Sequence, residues 1–185
     1  MKVLYNKIMN DAIFDFFGEN KTLDKISDIL LIVMLAIVAG FALSGLVQLI
    51  KRKSLKKVDS EIVSMIPSLL LLVAIYFIFD KVWILNYRPV LVNGVAEASF
   101  PSTHTLITVT VLGITMMTLP KYVKNRKQRI LIDVLALIAM VVMAFLRVAS
   151  GMHWMTDVLG GIVFGFDLAL IYGGVLRIVK ERRHE

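Results

Sequence analysis

Five long apolar runs dominate the chain, at roughly 29–50, 62–79, 104–119, 130–146 and 158–179. Hydrocarbon offers no partner for a backbone amide or carbonyl, so only helices and closed barrels cross a bilayer. Each run holds about 16 to 22 residues, close to the ~20 that a helix needs to span the hydrocarbon core. The runs are continuous rather than alternating, which argues against a barrel. The fold class that follows is all-α: an integral membrane bundle of five transmembrane helices. The composition agrees, with 58% apolar residues against about 45–50% in ordinary soluble domains.

The charge is +7, and its placement decides what it means. "KRKSLKK" (51–57) and "KYVKNRKQR" (121–129) carry five basic residues each, and the tail "RIVKERRHE" (177–185) four more, so 14 of the 21 Lys and Arg flank alternate ends of the runs. Cytoplasmic loops show that pattern under the positive-inside rule. The basicity therefore sets topology, and no nucleic-acid partner is expected. The N-terminus, 80–103 and 147–157 fall on the outer face, the C-terminus on the cytoplasmic one. Short loops and a compact chain suit a bacterial inner membrane.

Residues 1–26 fit neither a signal peptide nor a span, because Lys7, Asp11, Asp15 and Glu19 interrupt them. Leu4, Tyr5, Ile8, Met9, Ala12, Ile13 and Phe16 share one side of a helical wheel, with Asn6, Lys7, Asn10, Asp11 and Asp15 opposite. That pattern predicts an amphipathic interfacial helix on the outer surface, with packing against the bundle as the alternative. The chain lacks cysteine, which excludes disulfides and thiolate metal sites. A single domain, 1–185, is expected, and its oligomeric state is not legible.

Two outer loops hold an unusual set of polar groups. "KVWILNYRPVLVNGVAEASFPSTH" (81–104) supplies Lys81, Arg88, Ser102 and His104, and "RVASGMHWMTD" (147–157) supplies Arg147, His153 and Asp157. The topology came from charges on the other face, so their convergence is an independent observation. Arginine forks and a lysine point charge suit a phosphate with several oxygens. In "PSTH" Ser102 is a candidate N-cap, placing the amides of Thr103 and His104 at a helix N-terminus, which favours anions. His153 and Asp157 lie four apart, so a carboxylate one turn on can fix the imidazole tautomer and free the other nitrogen as a nucleophile. Singly, each residue has a structural explanation: snorkelling for Lys81 and Arg88, an interface pair for His153 and Trp154, a cap for Asp157. Seven together on one face favour a site.

These three stretches resemble the signature motifs of the type-two phosphatidic acid phosphatases, which share a superfamily with vanadium haloperoxidases. The family pattern is Lys, six residues, Arg-Pro; Pro-Ser-Gly-His; then Ser-Arg, five residues, His, three residues, Asp. The resemblance organises residues 62–179 as a catalytic core. It implies a metal-independent hydrolase, needing no cofactor, that acts on a lipid phosphomonoester or diphosphate. Phosphatidate, phosphatidylglycerophosphate and undecaprenyl diphosphate all qualify as substrates. Carried over by position, His153 is the nucleophile that forms a phosphohistidine, oriented by Asp157, and His104 is the general acid. Lys81, Arg88, Ser102, Thr103 and Arg147 bind the phosphoryl group. Two positions depart from the pattern: Thr103 replaces glycine, and Leu146 replaces the serine before Arg147. A scaffold or transporter binding anionic lipid, and a lipid phosphotransferase with the same site, are the competing readings.

Other features read as structural. Asp167 is expected to bond Thr108 or Thr110, "GIVFG" (161–165) and "GFALSG" (40–45) to permit close helix packing, Pro67 to kink its helix or mark its entry into the membrane, and the methionines to fill gaps.

Overall fold

The computed structural model describes the backbone of residues 2–92 and 94–184, and the side chains of 7–92 and 94–183. Leu4, Tyr5 and Asn6 of the expected amphipathic faces lie outside the described side chains. Among the described residues, seven α-helices run α1 (Lys2–Phe17), α2 (Lys21–Arg52), α3 (Ser60–Val63), α4 (Met65–Phe77), α5 (Thr103–Tyr122), α6 (Arg126–Ala149) and α7 (Met155–His184). Helices α2, α5, α6, α7 and the α3–α4 pair are long and apolar enough to cross a membrane, five spans as expected.

Local chemistry sets the boundaries. Asn20 caps α2 by accepting from the amides of Thr22 and Leu23, both at 3.1 Å. The helix therefore starts eight residues before the apolar run at 29, and its first two turns stand at the end of the bundle shared with 80–103 and 147–157. It stops at Lys53, in the left-handed region with φ 53°, with Lys51 and Arg52 in its last turn to suit the dipole. The second span breaks at Ser64. Pro67 has no amide to offer the carbonyl four residues back, Val63, where α3 ends. A π-helical turn, Ile78–Val82, then widens the helix as it leaves the membrane, with the Trp83 amide on the Ile78 carbonyl at 2.6 Å.

Helix α5 is the hub, because close approach lets it bury both flanks. Gly161 and Gly165 of α7 lie against Ser102, Thr105 and Val109, where a Cβ on Gly161 would stand 2.8 Å from the Ser102 carbonyl. Gly113 of α5 meets Ala169 in return. In "GFALSG" only Gly45 packs closely, on Ile62, whereas Gly40 faces open space. Tyr172 and Thr118 share a buried hydrogen bond at 2.7 Å. Asp167 departs from expectation. It is exposed on the outward side of α7, Thr110 bonds the Leu106 carbonyl instead, and the buried Thr108 hydroxyl has no partner among the described residues.

The helix α1 packs against the bundle. Asn10, from the side expected to be polar, donates to Thr156 at 3.0 Å, and Phe14 and Phe17 meet Trp154 and Phe145 with ring centroids 5.9 Å apart. Phe16 and Ile8 remain exposed. At the far end, Asp59 ties α2 to α5 through Arg52 (2.9 Å), Gln48 (3.1 Å) and Tyr122 (3.1 Å). Burial pushes its carboxyl up, but those three donors outweigh burial and hold it below the usual range.

Candidate active site

The N-terminal turn of α7 organises the site. Asp157 is fully buried, and its position lets the carboxylate reach back to the amide of Trp154, at 3.0 Å, as in a capping box. The same oxygen accepts from the Ser99 hydroxyl, and the other from the Asn86 amide at 2.9 Å. Both come from the irregular hairpin before α5, where Arg88 pairs with Glu97 and Ser99 with Asn86 through the backbone. The Ser102 amide donates to the Asp157 carbonyl at 3.0 Å, binding the start of α5 to the start of α7.

His153 lies just outside α7, which begins at Met155. Its Nδ1 is 3.7 Å from Asp157 Oδ2, beyond hydrogen-bond reach. The expected direct contact is replaced by a bridge: Ser99 Oγ stands 3.2 Å from Nδ1 and donates its own proton to Asp157. Since that hydroxyl hydrogen is committed, the hydroxyl can only accept from the ring. The network therefore assigns the proton to Nδ1 and leaves Nε2 with its lone pair. Nε2 is buried and has no partner among the described residues. Burial pulls the imidazole down to about 4, helped by the guanidinium charges of Arg147 and Arg88 and opposed by Asp157. The ring is neutral at neutral pH.

The three cationic side chains and His104 each lie against a carboxylate. Arg147, in the last turn of α6 and 1% exposed, donates through Nη1 to Asp24 and to Ser27 Oγ at 2.7 Å, leaving Nε without a partner. His104 Nε2 lies 2.9 Å from Asp28 Oδ1. Lys81 pairs with Asp80 at 2.8 Å and Arg88 with Glu97 at 3.2 Å. Lys81, Arg88, Thr103 and His104 line one cavity of about 600 Å³. Ser102 sits at the N-cap position but makes no capping bond, its hydroxyl accepting instead from Thr105 at 3.2 Å. Leu146 is buried beside Arg147.

Sequence reasoning missed Asn86, Ser99, Asp24, Ser27 and Asp28. The first two looked like loop residues. The other three carried a signal: two carboxylates one turn apart, with a serine between, at the outer end of a span.

Residues 62–180 match the family described as the PAP2 superfamily. No curated protein matches the chain. Among solved structures, the chain is similar to a transmembrane PAP2-type phosphatidylglycerolphosphate phosphatase from Bacillus subtilis. Identity is 21%, the TM-score is 0.61, and the match covers 92% of this chain and 83% of that one. At that identity the likeness concerns the fold.

Proposed function

We propose that this chain, which belongs to the PAP2 superfamily, is a lipid phosphatase working through a phosphohistidine on His153. The observation that carries the reading is the buried, unpartnered Nε2 of His153, beside a relay that fixes the proton on Nδ1. A neutral imidazole with a free lone pair is a nucleophile, and phosphoryl transfer otherwise needs mainly positioning and charge stabilisation.

In this mechanism the phosphoryl group enters the cavity beside His104, with its oxygens on Lys81, Arg88, Arg147 and the amides at the start of α5. Nε2 forms a bond to phosphorus as the bond to the leaving oxygen breaks, and His104, which takes up its proton when the phosphate dianion binds beside it, gives that proton to the leaving oxygen. Asp157, acting through Ser99, stabilises the charge that develops on the His153 ring. Water then attacks the phosphohistidine, His104 takes its proton, and phosphate leaves. Residues of the first turns of α2 orient two of these groups: Asp24 and Ser27 hold Arg147, and Asp28 holds His104. By the loop charges, the site faces the extracytoplasmic side. The activity of the similar Bacillus subtilis protein makes phosphatidylglycerophosphate the first substrate to try.

The test is phosphate release by detergent-solubilised protein, with chelator present, on phosphatidylglycerophosphate, phosphatidate and a polyprenyl diphosphate. Turnover by wild type that disappears in His153→Ala, with acid-labile phosphate trapped on the wild-type chain, is the expected result. Undiminished release by His153→Ala removes the assignment.

A further inference from the structure

A second concavity lies at the other end of the bundle, about 520 Å³ in volume, walled by the start of α3, the end of α5, the α5–α6 loop and the last turns of α7. Among the described residues, four cations line it, Lys121, Lys124, Lys180 and Arg183, against one carboxylate, Glu61. The cavity at the histidine end has its lysine and arginine matched by Asp80 and Glu97. Among the described residues, the larger uncompensated charge is thus in this second cavity.

Its walls are fixed by bonds that hold positive groups in place. Glu61 is 3% exposed and pairs with Lys180 at 2.9 Å, fastening α7 to α3. Arg183 donates to the carbonyls of Val58 and Leu55 and to Ser60 Oγ, and among the described residues its charge has no carboxylate partner. Lys121 and Lys124 form no ion pair among the described residues, and the nearest acceptor of Lys124 is the Pro120 carbonyl at 3.5 Å. Met117, exposed on α5, and Pro120 give the cavity an apolar side. Scattered lysines suffice to set topology. They do not require cations from three elements to converge on one concavity with an apolar edge.

We propose that this cavity binds a phosphate ester, and that the ester is the headgroup of an anionic phospholipid in the leaflet opposite the histidines. Arg183 and the two free lysines take the phosphate oxygens, and an acyl chain runs past Met117. Among the described residues no histidine lines the cavity, so the ligand is proposed to be bound there without turnover. The inference does not depend on the phosphatase reading.

The test uses the full chain in uncharged detergent. Its thermal midpoint is measured with phosphatidylglycerol, phosphatidylcholine or soluble glycerol phosphate, and lipid adducts are counted by native mass spectrometry. Phosphatidylglycerol should raise the midpoint and phosphatidylcholine should not. The double variant Lys121→Gln/Lys124→Gln should lose at least half of the shift and the tightest adduct, while melting normally without lipid. Arg126→Gln/Lys127→Gln removes equal charge at the same membrane end outside the cavity and should keep the shift. A shift with glycerol phosphate that the first variant also loses keeps the site and makes its ligand a soluble ester. Equal losses in both variants, or a full shift in the first, overturn the proposal.

Discussion

At the histidine end, Lys81, Arg88, His104 and Arg147 each lie against a carboxylate, drawn from α2, the π-helical turn and the hairpin. At the other end, acids are fewer: Asp59 and Glu61 bind one cation each, and Lys121 and Lys124 go without. Burial accounts for the pairing of Arg147, Arg88 and His104, though not of Lys81, whose side chain is 65% exposed. Arg147 has almost no contact with solvent, so its charge needs a counter-ion, whereas exposed lysines are solvated where they stand. Cations that must hold one geometry are pinned; cations that only need to remain on one side of a membrane are not.

The sharpest way to break this contrast is to delete groups at each end and follow turnover. His153→Ala should reduce phosphate release to background, and His104→Ala should lower kcat by about 10²–10⁴-fold. Lys121→Gln should leave kcat unchanged. A comparable loss at Lys121 would mean that the two ends are coupled.

Stability gives the next largest difference. Asp24→Ala leaves Arg147 buried without its carboxylate, a loss of about 3–5 kcal/mol by analogy with broken buried pairs. Arg52→Gln breaks a pair whose arginine is 43% exposed, and should cost about 0–1 kcal/mol. Unfolding midpoints of the two variants in SDS titration decide it, and similar shifts would erase the distinction.

The Ser99 bridge should have a smaller, purely kinetic signature. Ser99→Ala removes a buried hydrogen bond worth about 1–3 kcal/mol, so kcat should fall on the order of tenfold with KM little changed. A rise in KM alone would assign Ser99 to substrate binding.

The pH profile sharpens the picture further. A base with a depressed proton affinity keeps its lone pair until the solution becomes quite acidic. His153, held down to about 4, should lose nucleophilicity only as pH falls towards that value, so its acid limb in kcat/KM sits near pH 4. A limb set by His153 near pH 6.5, and moved by Ser99→Ala, would show the ring to be more solvated than its burial indicates.

The spans were legible because a run of apolar residues is a local signal that tertiary contacts do not reverse. The spacing of His153 and Asp157 was legible for the same reason, since four residues along one chain limit their separation. Ser99 was not: it enters the pair from 54 residues away, and nothing near Ser99 announces it. Asp24 and Asp28 meet residues 123 and 76 positions distant. They sit in the part of α2 ahead of the apolar run, where polarity reads as an ordinary helix end. Asp167 failed differently, because residue spacing gives its depth along α7 but not the direction in which it points.

The dependence of Arg147 on α2 bears on what a portable unit of this protein would be. The segment 62–180 contains every motif residue that the family match rests on, yet Asp24, Ser27 and Asp28 lie upstream of it. A graft of that segment alone would transfer the whole signature and strand a guanidinium in an apolar wall. Swapping parts between relatives should therefore succeed or fail at the seam between α2 and α6, and the smallest transferable piece is the one that carries its own counter-ions.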